Sequence, residues 1–125
     1  MEAAEKIEKI EKTEKAEIKD GFGRRRHPRK ELKRDIGVLY QGFYIIEKST
    51  DVSESGLSFV SSREIPVGDK IVVTFQIPGG TIVSVRSEVR GHFKTPTGQV
   101  RTGCAYIDIR FEFKREIRNF VSARD

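Results

Sequence analysis

A chain of 125 residues, 36% hydrophobic and 34% charged, can bury one compact core but not two. No apolar run approaches the roughly 20 residues that span a bilayer, the N-terminus alternates Glu and Lys instead of opening a secretory signal, and the lone Cys104 excludes an intramolecular disulfide. These features lead us to expect a cytoplasmic protein, and the net charge of +5 favours an anionic partner.

Residues 1–21 are a low-complexity repeat of Glu, Lys and one variable residue, with pairs such as Glu5–Lys9 and Glu8–Lys12 spaced for i,i+4 attraction. The repeat predicts a charged helical tail, with Gly21-Phe22-Gly23 breaking it ahead of a domain over 22–125. The charge excess sits in residues 24–34, RRRHPRKELKR, which hold seven Lys or Arg against one Glu and leave the rest of the chain close to neutral. Pro28 disfavours helix at His27, so this segment is expected to be extended or turned.

From Ile36 the period becomes strand-like. Ile36 to Tyr44, interrupted by Gly37 and Gly42, reads as a strand with a bend that continues through Ile45 and Ile46 toward Thr50. Leu57 to Ser61 is a short strand, and Pro66-Val67-Gly68-Asp69 turns into a strand over Ile71 to Ile77. Between Ile82 and Phe93, Val83, Val85, Ser87 and Val89 alternate with Ser84, Arg86, Glu88 and Arg90. Val100 to Ile109 alternates again, and Phe113, Ile117, Phe120 and Val121 mark an amphipathic helix over 112–121. About six short strands followed by one helix predict an all-β fold with a C-terminal helix, an antiparallel barrel or small sandwich.

Two segments carry recognition chemistry. Arg24, Arg25, Arg26 and Arg29 offer forked guanidinium donors for phosphate oxygens and flat faces for bases. Asp51-Val52-Ser53-Glu54-Ser55-Gly56 is a turn with a carboxylate, hydroxyls and a glycine that permits positive φ or the close approach of a ligand. Each is also an ordinary feature by itself: basic runs are often solvated or bind nucleic acid loosely, and Asp, Ser and Gly populate plain turns.

Together, R-x-x-x-R at Arg25 and Arg29 followed by D-x-S-x-x-G at Asp51, Ser53 and Gly56 resembles the PilZ domain family, over about residues 22–122. The resemblance implies a six-stranded antiparallel β-barrel with a C-terminal helix and a bacterial receptor for cyclic di-GMP. It implies that Arg25 and Arg29 grip the ligand from a loop and that Asp51 accepts from guanine N–H groups. Ser53 would bond a phosphate or ring nitrogen, and Gly56 would admit the ligand to the backbone. Arg24 is implied as a further contact that favours an intercalated ligand dimer, and Arg90 as a guanidinium stacked on a base. Signal would then pass by protein–protein contact to an effector, through the ligand-ordered loop or the N-terminal helix.

His27 and His92 have no zinc-ligand spacing, and Cys104 has no nucleophile's partners in sequence, so neither a metal site nor an enzyme is expected. The competing reading is a basic barrel that binds single-stranded nucleic acid. That reading requires basic and aromatic residues spread over a strand face, whereas the basic excess here is confined to one segment.

Overall fold

A computed structural model describes residues 28–123, so the charged tail expected over 1–21, and Arg24 and Arg25, lie outside it. Its first strands differ from the sequence expectation. The chain runs as β1 (Lys30–Glu31), β2 (Asp35–Tyr40) and β3 (Phe43–Val52), so the stretch read as one bent strand is a hairpin. Gln41 and Gly42 form its turn with φ of 49° and 83°. A two-residue turn of this hand needs positive φ at both centres and usually announces itself as Asn-Gly or Asp-Gly. Glutamine in the first place hid it.

The remaining strands are β4 (Gly56–Ser61), β5 (Lys70–Gln76), β6 (Ile82–Lys94) and β7 (Val100–Tyr106), followed by helix α1 (Phe111–Ser122). The sheet order is β1-β3-β2-β5-β6-β7-β4, every pair antiparallel, and β3 also pairs with β4. That last pairing closes β2 to β7 into a six-stranded barrel, which removes the edges an open sheet would expose. The predicted barrel with a C-terminal helix is what the chain forms.

Alternation explains the core. Ile71, Val73 and Phe75 of β5 and Val83, Val85 and Val89 of β6 point inward, while Ser84, Arg86 and Arg90 face solvent. Phe59 of β4 is wholly buried, which contributes roughly 1.5–3 kcal/mol. Helix α1 joins this core through buried Ile117, with Phe113, Phe120 and Val121 packed beside it, as the helical spacing predicts. Cys104 of β7 is buried, and burial pushes its thiol up to about 11, so it stays protonated at neutral pH. No helix among the described residues is long and apolar enough to cross a membrane.

One irregularity positions the site. β1 and β2 lie along the same edge of β3, joined by an irregular stretch at Leu32 to Arg34. The buried Ser49 hydroxyl donates to the Leu32 carbonyl, and Leu32 N donates to Thr50 O at 3.0 Å. The segment that carries Arg29 is thereby stitched to the far end of β3.

Candidate functional site

Register brings the two motif segments together. Lys30 pairs with Val52 and Glu31 with Asp51, so Arg29 arrives beside the end of β3. Arg29 Nη1 donates to Asp51 Oδ1 at 2.7 Å, and both side chains are partly exposed. A basic segment and a carboxylate 22 residues apart thus meet in one charge-assisted contact.

The turn after Asp51 is built from its own hydroxyls. Ser53 N donates to Gly56 O at 2.8 Å, and Ser55 N donates to Ser53 Oγ at 3.1 Å. Ser53 is 1% exposed and its Oγ also lies 3.1 Å from Ser55 Oγ, so in this state it locks the turn while Ser55 faces outward. Gly56 has no positive φ, and its close neighbour is protein. A Cβ there would stand 2.1 Å from the Cys104 carbonyl oxygen. This glycine lets β4 press against β7.

Beyond Asp51 the outer face of the barrel is floored by small residues. One rung runs from Asp51 on β3 to Ser58 on β4, Gly103 on β7 and Gly91 on β6. A Cβ on Gly91 would meet nothing within 4 Å, and one on Gly103 would come only to 3.9 Å from Ser58 Oγ. The result is a shallow shelf, with Arg29 and Asp51 at one side. At the other side Arg90 lies at the irregularity between Val89 and Gly91, exposed, with Nη2 3.7 Å from Glu88 Oε1. Arg101, two residues before Gly103, sits 5.6 Å from the Phe93 ring centroid, and its buried Nε has no hydrogen-bond partner among the described residues.

Arg29, Asp51, Ser53 and Gly56 are therefore gathered at one place, and Arg90 stands across the shelf. Arg24 and Arg25 precede the described residues. Ser58, Gly91, Gly103 and Arg101 went unnoticed in the sequence because only the register across four strands makes them neighbours. Among the described residues no cluster of His, Cys, Asp or Glu could hold a metal ion. Of the exposed large apolar side chains, Phe43, Tyr44 and Ile46 lie on the β2–β3 hairpin, whereas Phe93 lies on β6 two residues beyond Gly91 of the rung.

The PilZ domain family matches residues 23–123. Comparison with curated proteins returns no match. Among solved structures, the Bacillus subtilis inhibitor of motility MotI/DgrA superposes with a TM-score of 0.72 at 16% identity, over 78% of this chain and 49% of that one. Borreliella burgdorferi PlzA in complex with c-di-GMP gives 0.61 at 14% identity, over 86% of this chain and 45% of that one. The PilZ domain of Escherichia coli YcgR with c-di-GMP gives 0.62 at 10% identity, over 78% and 88%. The chain spans about half the length of the first two proteins. With the family match running over nearly everything beyond the Glu/Lys repeat, and with a barrel and helix that these structures share, the chain belongs to the PilZ domain family.

Proposed function

We propose that the chain is a bacterial receptor for cyclic di-GMP that passes its signal on by protein–protein contact and catalyses no reaction. The observation that carries this reading is the Arg29–Asp51 contact beside a shelf floored by Ser58, Gly103 and Gly91. The ligand is a dianion with two purine faces and two guanine edges. Asp51 suits a guanine edge, because an ionised carboxylate accepts from two adjacent N–H groups at once. Arg29 offers forked donors to guanine O6 and N7 or to a phosphate. Arg24 and Arg25, four to five residues upstream of Arg29, supply the further cations that two phosphodiester groups need. The two glycines, Gly91 and Gly103, leave room for a base beside the buried Ser58, and Arg90 can cover that base with its guanidinium plane. Ser53 acts through the turn it locks, and Gly56 through the strand contact it permits. PlzA and the YcgR domain, both seen with c-di-GMP, share the fold.

In this reading residues 22–125 bind the ligand, and the tail over 1–21 is available to an effector. Calorimetric titration of the full chain with cyclic di-GMP, GMP and a single-stranded oligonucleotide tests it. Saturable heat is expected with the cyclic dinucleotide alone. Heat with the oligonucleotide only, falling steeply with salt, would favour the nucleic-acid reading instead.

A further inference from the structure

Two charged contacts outside the proposed ligand shell tie α1 to both ligand segments. Lys30 follows Arg29 directly, and its ammonium reaches the last turn of α1. Nζ donates to Phe120 O at 3.3 Å and to Ala123 O at 3.2 Å, and lies 4.7 Å from the Phe120 ring centroid. The last carbonyls of a helix lack intrahelical donors and carry the negative end of its dipole. The last turn of α1 holds no basic residue of its own, so Lys30 supplies the cation from the arginine segment. Arg118, one turn earlier, donates from Nε to Glu54 Oε1 at 2.9 Å. Glu54 lies between Ser53 and Ser55 in the turn with its side chain 13% exposed, while Arg118 reaches it from the exposed face of α1. A third contact is independent of the site: Glu116 takes Thr81 N at 3.0 Å and Thr81 Oγ1 at 2.8 Å, anchoring α1 to the β5–β6 turn.

We propose that α1 reports ligand occupancy: displacement of the Arg29 segment and of the Ser53–Gly56 turn on binding is transmitted to the C-terminal half of α1 through Lys30 and the Arg118–Glu54 pair. This rests on the cyclic di-GMP reading above. By thermodynamic reciprocity, a contact that carries ligand information to the helix also sets the ligand's affinity. Arg118 and Lys30 are positioning residues here, touching no ligand themselves. Glu116 is the fixed end against which the helix shifts.

Hydrogen exchange of the full chain with and without saturating cyclic di-GMP, together with calorimetry, tests the coupling. In wild type, ligand changes the protection of residues 117–123 and leaves Thr81 as it was. Arg118→Gln lowers ligand affinity about tenfold, within the range of such couplings, and abolishes the change in α1. The reversed pair Glu54→Arg with Arg118→Glu restores both, and the ligand-dependent protection of α1 is the readout that a merely structural ion pair would not move. Lys30→Gln gives an independent loss if Arg118→Gln folds poorly. Binding by wild type without any change in α1, or wild-type affinity in both Arg118→Gln and Lys30→Gln, would overturn the proposal alone. Failure of wild type to bind would overturn the receptor reading and this coupling with it.

Discussion

Asp51→Ala is expected to weaken cyclic di-GMP binding about a hundredfold while leaving the thermal midpoint within a few degrees of wild type. The carboxylate is asked to accept two guanine N–H groups, each such bond to a charged group contributing about 1.5–3 kcal/mol, and about 3 kcal/mol in total is a factor of roughly 100. Its removal also releases Arg29, which Asp51 now holds at 2.7 Å. The fold loses little, because both partners of that ion pair are partly exposed and such pairs contribute about 0–1 kcal/mol. Asp51→Asn recovers little of the affinity: its amide presents one acceptor and one donor to the two guanine N–H groups, both of which donate. Calorimetry beside a thermal melt checks both halves. A near-wild-type affinity in Asp51→Asn would mean that charge at this position is irrelevant.

Gly56→Ala should be the more damaging change to the molecule itself. The added methyl would stand 2.1 Å from the Cys104 carbonyl oxygen and 3.1 Å from the Ala105 Cα, both main-chain atoms that no rotamer can move. β4 must then part from β7, loosening a ladder that runs from Gly56–Ala105 to Ser61–Val100. Overpacking of this kind costs about 3 kcal/mol, which in a domain near 100 residues lowers the melting midpoint by at least about 10 °C. Gly91→Ala is the control, since its methyl meets nothing within 4 Å. It should melt like wild type and still bind ligand less well, because the methyl stands on the shelf. If Gly56→Ala melted with Gly91→Ala, the strand contact would not be what this glycine serves.

Local patterns made much of the fold legible. The β6 alternation from Val83 to Val89 and the helical spacing of Phe113, Ile117 and Phe120 each name their buried face without knowledge of any partner. The β2–β3 turn was not legible, since Gln41 adopts a positive φ that its residue type does not advertise. The site divides in the same way. Asp51, Ser53 and Gly56 declare a turn through their chemistry, but that Ser53 would be buried within it and Gly56 pressed on Cys104 depends on β7, some fifty residues later. The small rung of Ser58, Gly91 and Gly103, and the Arg118–Glu54 pair 64 residues apart, exist only through register and packing.

Amide chemical-shift mapping of the full chain during a cyclic di-GMP titration locates the ligand outright. The largest shifts are expected at Arg29, Asp51, Ser58, Gly91 and Gly103, moving together with one saturation curve. Shifts gathered instead on Tyr44 and Ile46 of the β2–β3 hairpin, with that rung unmoved, would contradict a ligand held between Arg29, Asp51 and the shelf.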